Sequence, residues 1–454
     1  MSIMDKPDEF TWRLHRDSKM KFVSTRGGES VDLDTALVQG IASDGGLFLP
    51  DVLPKLSVEA LSEESSERGL AKAFLAPFFE GSSIASQLDE IIAETFSFEI
   101  PKIKLPVENG RCDLLELFHG PTAAFKDIGA GFLAACLSRI EGDEAQPLTI
   151  LVATSGDTGG AVAAAFNERP GMRVVVLYPD GMVSDRQAHQ LTCWSDNVLS
   201  LAVNGTFDDC QAIVKTALAD ASLSAKHRFS SANSINIGRL LPQAIYYANA
   251  SIAHWQETGN KPGFIIPTGN LGNAFACFLA REVGLPIGDI VLVTNANRII
   301  NDYLGGAEWA PRTSVQTLAS AMDVGNPSNM ERLRFVGGEA MELAKKVESL
   351  SVTDEEITQQ IAQNYQDWGI ATCPHTATAT FAWRKLSDAA RMEQDWILVA
   401  TAHAAKFEQI VEPIIGSTVE LPTELAEILE KPSRVEKIDA SMGAFEQVLE
   451  RCFG

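Results

Sequence analysis

The sequence predicts an α/β protein built on parallel sheets with helices on both faces. Three observations carry this. Short, near-continuous apolar runs, such as Leu148–Ala153, Val174–Leu177 and Ile290–Thr294, read as strands buried on both sides. They alternate with stretches whose apolar residues recur at helical spacing. Several of these strands end in glycine- and hydroxyl-rich turns that open helices, the place where open parallel sheets bind ligands.

From about residue 20 to 100 the pattern is mixed. Ser57–Leu75 and Ile84–Phe96 carry charges between apolar positions and read as exposed helices. Beyond Pro106, Leu114–Phe118 is a short apolar run followed by the turn His119–Thr122. Phe125, Ile128, Phe132, Cys136 and Ile140 then repeat at helical spacing, so a helix is predicted to begin near Thr122. Strand Leu148–Ala153 leads through Thr154–Gly160 into a small-residue helix, Ala161–Phe166. Val174–Leu177 is another buried strand, and Asn197–Val203 and Asp208–Ala219 continue the alternation. The unit recurs at Phe264–Ile266, the loop Pro267–Asn273, the helix Ala274–Glu282 and the strand Ile290–Thr294. A last strand, Ile397–Ala400, ends in Thr401-Ala402-His403. No internal repeat and no low-complexity tract interrupts the series.

Composition sets the class. The 454 residues suggest about three domains at ~150 residues each. The chain is 45% hydrophobic, enough for a large core. Lys+Arg is 37 and Asp+Glu is 60, and 37 − 60 = −23, which argues against a nucleic-acid partner. No apolar run approaches the ~20 residues that cross a bilayer, so no membrane partner is expected. Met1–Lys21 mixes charges of both signs and does not read as a secretory signal. The seven cysteines show no C-x-x-C spacing and read as small buried hydrophobes of a reducing compartment. The histidines lack metal spacing, so no metal site is expected. Together these features predict a cytoplasmic protein.

Four motifs carry chemistry. Lys126 falls in the first turn of its helix, where the macrodipole disfavours a cation. With apolar Phe125 and Ile128 beside it, the neutral amine is favoured, as a Schiff base needs. A solvated surface lysine is the alternative. Thr154–Gly160 offers Ser155, Asp157 and Thr158 at a helix N-terminus, an anion site or an ordinary capped turn. Gly269-Asn270-Leu271-Gly272-Asn273 suits a phosphate held by backbone N–H groups, or a structural turn. It is neither a Walker A loop nor G-x-G-x-x-G. Ser234–Arg239 brings a hydroxyl, an amide and a guanidinium together, and Arg239 either clamps an anion or pairs on the surface. A lysine, a phosphate loop and a polar turn, each at a strand end, suit a pyridoxal phosphate site.

These residues carry a family resemblance. Phe118-His119-Gly120-Pro121-Thr122-Ala123-Ala124-Phe125-Lys126-Asp127 resembles the lysine motif of threonine synthases, fold-type II pyridoxal phosphate enzymes. Val23–Gly27, Thr154–Gly159, Pro267–Asn273 and Thr401–Phe407 resemble their start, second motif, phosphate loop and C-terminal signature. The resemblance runs from about Met20 onward. Ala404 stands where the signature usually has proline, and Leu271 where phenylalanine is common.

The resemblance implies two parallel-type sheet domains plus an N-terminal mixed or helical domain. The expected division is an extension 1–19, an N-terminal domain 20–105, a large cofactor-binding domain 106–147 and 255–454, and a small α/β domain 148–254. It implies Lys126 as the Schiff-base and catalytic lysine. Gly269, Asn270, Leu271, Gly272 and Asn273 would hold the cofactor phosphate, Thr401 the pyridine nitrogen, and Asp157 would lie near the 3′-oxygen. Ser155 and Thr158 would serve the substrate, with Ser234 and Arg239 on its phosphate. The local cations facing that phosphate would be Arg239 and Lys126, then Arg186 and Lys406. The implied reaction converts O-phospho-L-homoserine and water to L-threonine and phosphate, in a monomer or homodimer. Alternatives are a related phospho-lyase, a dehydratase or synthase of the same fold type, and a non-enzymatic phosphate- or nucleotide-binding protein.

Overall fold

The apolar runs form strands in two separate parallel sheets, with a small antiparallel sheet near the N-terminus. The structure, a computed structural model, describes residues 19–64, 66–141 and 146–453. The extension expected over 1–19 therefore lies outside the described residues, apart from Lys19.

The larger sheet has six strands, in the order Glu348–Ser351, Ile290–Thr294, Gly263–Pro267, Trp396–Ala400, Cys112–Glu116 and Lys102–Lys104. All neighbours are parallel except the last pair, so only the Lys102–Lys104 edge runs backwards. The inner strands are buried along their length, as sheets covered on both faces require. The second sheet has five strands, all parallel: Glu436–Asp439, Val198–Asn204, Met172–Pro179, Leu148–Ala153 and Phe229–Ser231. Ser30–Val31, Phe22–Ser24 and Phe48–Pro50 make the antiparallel sheet.

Three sequence expectations change. Glu436 pairs opposite Leu201, so the C-terminal strand joins the second sheet and not the large unit expected over 255–454. The helix Met442–Phe453 follows it there, with Phe445, Val448 and Leu449 in one apolar cluster with Leu201, Val203 and Ile213. The N-terminal helices are not simply exposed. Glu67–Leu75 buries Leu70, Phe74 and Leu75, and Leu88–Thr95 buries Ile91 and Ile92, all in the main core. Their charges occupy the opposite face, an amphipathic pattern. Six cysteines are buried and free as expected, but Cys452 is exposed in the last turn of the C-terminal helix.

Among the described residues no helix is long and apolar enough to cross a membrane, and no His/Cys/Asp/Glu cluster could hold a metal ion. The carboxyl ends of Leu148–Ala153, Gly263–Pro267 and Trp396–Ala400 border one cavity shared by the two sheets.

Candidate active site

The cavity encloses about 280 Å³ and is lined by Lys126, Ser155, Asp157, Thr158, Ser234, Arg239, Gly269–Asn273 and Thr401. These candidate site residues named from the sequence are thus gathered in the same space, whereas Arg186 and Lys406 do not line it.

Lys126 is the first residue of the helix Lys126–Glu141, which starts later than the Thr122 expected. The reason lies upstream. Ala123 has a left-handed backbone, φ 54, which a helix cannot include. The Ala123–Phe125 segment is instead strapped to the end of the last inner strand. Phe125 N–H donates to Thr401 O at 2.9 Å and His403 N–H to Ala123 O at 3.0 Å. Sequence-distant Lys126 and Thr401 are therefore fixed side by side. The surface Lys126 leaves uncovered faces the cavity, and no described residue accepts a hydrogen bond from its Nζ. Burial pulls its pKa from 10.5 to about 8; Asp157 opposes the shift, and Lys406 and Arg239 add to it.

Asp157 opens the helix Asp157–Phe166, behind Gly156 at φ 130. Neither Asp157 nor Thr158 caps that helix, contrary to the ordinary-turn alternative. A side chain on Gly156 would strike Gln187, whose Nε2 donates to Asp157 Oδ1 at 3.0 Å. Lys406 lies behind the same carboxylate, with Nζ 2.9 Å from Oδ1. Burial alone would raise the Asp157 pKa, but Lys406, Lys126 and His375 hold it well below the usual carboxylate range. The hydroxyls of Ser155, Thr158 and Thr401 meet no hydrogen-bond partner among the described residues and lie on the cavity wall.

The glycine loop enters the helix Gly272–Glu282 through Leu271, which is left-handed at φ 62 and fully buried. That conformation costs a non-glycine residue about 1–3 kcal/mol. It aims the first-turn N–H groups, which lack intrahelical acceptors, at the cavity. The Asn273 side chain is spent inside the loop, accepting from Thr268 Oγ1 at 2.9 Å and donating to Pro267 O at 2.9 Å. Asn270 Nδ2 donates to Ser234 Oγ at 2.7 Å and so joins the loop to the polar turn. A Cβ on Gly269 would sit 2.7 Å from Met322 Cα, so this glycine admits a neighbouring backbone.

Arg239 is only 2% exposed, which excludes the surface reading. It lies in the short helix Ile237–Leu240, capped by Asn236, and donates Nη1–H to Ala232 O. Its buried Nε–H has no acceptor among the described residues. Burial lowers its pKa to about 10, with only Asp127 opposing. A buried guanidinium with an unspent donor on a cavity wall is built to receive an anion. Arg186 and Lys406 do not share that role. Arg186 donates to Ala405 O and lies 3.6 Å from Glu408. Lys406 is spent on Asp157 and on Thr122 O, 2.6 Å away.

Sequence reasoning missed three lining or bracing residues. His375 accepts the Ala321 N–H at Nε2 across 3.0 Å, so its proton sits on Nδ1, which is buried and unpartnered. Burial holds the ring neutral, with a pKa of about 4. Asp323 lines the opposite wall and gathers Asn295, Asn297 and Thr317; burial raises its pKa to about 6. Arg332, fully buried, donates to Ser234 O at 3.2 Å and Ile235 O at 2.6 Å behind the polar turn. The adjacent pair Pro374-His375 was visible, but nothing in its spacing marked it. A pyridoxal phosphate fits this donor set: an unpaired, partly neutral amine, an N–H-rich turn, and a neutral hydroxyl in the same cavity.

Comparison with known proteins agrees with the geometry. Residues 114–402 match the family model described as pyridoxal-phosphate dependent enzyme. Residues 21–96 match threonine synthase N terminus, and 376–449 match threonine synthase, C-terminal. The threonine synthase of Escherichia coli (strain K12) is 37% identical over 423 residues, covering 93% of this chain and 97% of that protein. The crystal structure of the Escherichia coli enzyme superposes with a TM-score of 0.88 at 36% identity, over 95% of this chain and all of that one. A pyridoxal-phosphate-bound threonine synthase from Brucella melitensis gives 0.87 at 31% identity, over 95% and 99%.

Proposed function

The chain belongs to the threonine synthase family of pyridoxal-phosphate-dependent enzymes, and we propose how its own residues divide the family's reaction, O-phospho-L-homoserine and water to L-threonine and phosphate. One observation carries the proposal: the unpaired Lys126 amine stands in the same cavity as the Gly269–Asn273 turn, Thr401 and Arg239.

Lys126 would hold the cofactor through Nζ, and its low pKa supports this, because only a neutral amine is nucleophilic. When bound, the cofactor supplies an electron sink for the charge left at Cα and Cβ. Backbone N–H groups of Gly269–Asn273 would hold its phosphate, and Asp157 would lie near its ring oxygen. Thr401 would offer its ring nitrogen a neutral hydroxyl, which does not fix a proton there as a carboxylate would. Ser155 and Thr158 orient the substrate through their free hydroxyls. Arg239 grips the substrate phosphate, with Ser234 Oγ–H as a second donor. Lys126 Nζ would take the Cα proton and then a proton from Cβ. Arg239 would stabilise the phosphate leaving Cγ, Lys126 would return one proton to Cγ, completing the methyl group, and one to Cα, and water would supply the hydroxyl at Cβ. Borohydride reduction of the loaded protein followed by peptide mapping is expected to label Lys126; a label on another lysine overturns the assignment. Product analysis with O-phosphohomoserine is expected to give threonine and phosphate in equal amounts, where a phospho-lyase gives a keto acid.

The supporting units are read as 20–105, then 106–147 with 255 to about 430, then 148–254 with the C-terminal strand and helix. The acidic composition and six buried free thiols support a cytoplasmic enzyme, monomeric or homodimeric.

A further inference from the structure

Two lysines flank one carboxylate at the cavity. Asp157 lies on the wall beside Lys126, and Lys406 approaches it from behind. Lys406 belongs to the turn Ala404–Phe407, is fully buried, and does not line the cavity. Its Nζ lies 2.9 Å from Asp157 Oδ1 and donates to Thr122 O at 2.6 Å. Gln187 donates to the same Oδ1 at 3.0 Å. Lys126 Nζ has no acceptor among the described residues. The geometry is asymmetric: the lysine outside the cavity holds the carboxylate, and the lysine inside is left free.

We propose that Lys406 is a positioning residue for Lys126: as the standing counter-ion of Asp157, it keeps that carboxylate from pairing with the cavity amine. The proposal rests on Lys126 being the cofactor lysine.

The other groups facing Lys126 do not substitute for Lys406. Arg239 faces it from the helix Ile237–Leu240 as a second cation. His375, from the helix Pro374–Lys385, is neutral. Asp127, on Lys126's own helix, turns its carboxylate to Thr122, accepting from its N–H at 2.9 Å and its Oγ1–H at 2.5 Å. Asp157 is thus the acidic group that would claim the amine if Lys406 were removed. Two effects then add. A cation that disfavours charge on Lys126 is lost, and an anion that favours it is unmasked.

The test uses the full-length protein stripped of cofactor, and follows the rate of capture of added pyridoxal phosphate against pH. Capture needs the neutral amine, so the midpoint reports Lys126. The wild-type midpoint is expected near 8. In K406M it is expected to rise by about one pH unit or more, the usual effect of an opposite charge within a few ångströms. K406M/D157N keeps the local charge sum and is expected to return to within about half a unit of wild type. An unchanged midpoint in K406M, or a double variant that stays at the K406M value, overturns the proposal. Should K406M not fold, D157N takes its place: a midpoint below wild type supports the proposal and an unchanged one overturns it. Borohydride labelling of each reloaded variant separates the two failures. A label off Lys126 sinks the underlying assignment, whereas an unmoved midpoint with the label on Lys126 sinks only the role of Lys406.

Discussion

Arg332 donates its Nε–H to the carbonyl of Phe48 across 3.1 Å, and so pins the N-terminal antiparallel sheet to the back of the substrate turn. The same guanidinium serves Ser234 O and Ile235 O, and its neighbour Glu331 accepts from Arg26 Nε at 3.0 Å. No carboxylate hydrogen-bonds to Arg332 among the described residues; carbonyls do that work. Arg332→Met takes a donor from Phe48 O, Ile235 O, Asn329 Oδ1 and Ser234 O, of which Ser234 O keeps the Asn329 Nδ2–H, at about 1–3 kcal/mol for each group left dry and unpaired. The variant is expected to lose at least ~3 kcal/mol of stability, read as a lower unfolding temperature in a thermal scan. A temperature within a degree of wild type would contradict this role.

Of the residues proposed to meet the substrate, Arg239 carries the sharpest kinetic signature. A charge-assisted guanidinium–phosphate contact is worth about 1.5–3 kcal/mol. Arg239→Ala is therefore expected to lower kcat/KM for O-phosphohomoserine by roughly tenfold to more than a hundredfold. Arg239→Lys keeps the charge without the planar fork and should recover only part of the loss. Cofactor absorbance should stay, because the proposal assigns the cofactor phosphate to the glycine loop. Unchanged steady-state kinetics in the alanine variant would remove Arg239 from the site.

Gly272 acts through its neighbours. A Cβ there would lie 3.3 Å from both Leu240 Cδ2 and Ser234 Cβ. The branched Gly272→Val side chain must push the polar turn away from the phosphate loop. On the phosphate-binding roles proposed for the loop and the turn, cofactor content and kcat/KM should fall together. Dialysis followed by absorbance measures the first; full cofactor retention would show that the loop tolerates the displacement.

Asp323 predicts a pH signature. Burial raises its folded pKa to about 6, against about 3.9 in an unfolded chain. Between these values the folded state holds more protons than the unfolded one. Stability from this group is therefore present at low pH and lost as pH rises through about 6. Two units correspond to at most about 2.7 kcal/mol. Asp323→Asn removes the titration but also an acceptor for Thr317 and Asn295. Its unfolding temperature relative to wild type is expected to become more favourable from pH 4.5 to 7, whatever the offset. A difference that does not change with pH would show that Asp323 does not titrate in this window.

Lys126, the glycine loop and Thr401 were legible because each stands at the end of an apolar strand, where sequence order alone predicts the location. The burial of Arg239 was not legible: a guanidinium in a polar turn looks the same on a surface. The Asp157–Lys406 pair needs two segments far apart in sequence to meet, and no local pattern announces it. The strand Glu436–Asp439 carries a single apolar residue, Ile438, so its period cannot be read. Helix starts drifted for a local reason: the left-handed backbone at Ala123 moved the beginning to Lys126.

The pairing of Glu436–Asp439 with Val198–Asn204 also orders events in time. The three central strands of that sheet are translated early, yet their outer partner comes off the ribosome only after nearly the whole of the larger sheet has been made. Until then the Val198–Asn204 edge is an open template for any passing strand. The nascent chain therefore carries an open strand edge through about half of its synthesis, and Glu436–Asp439 acts as the stopper that closes it.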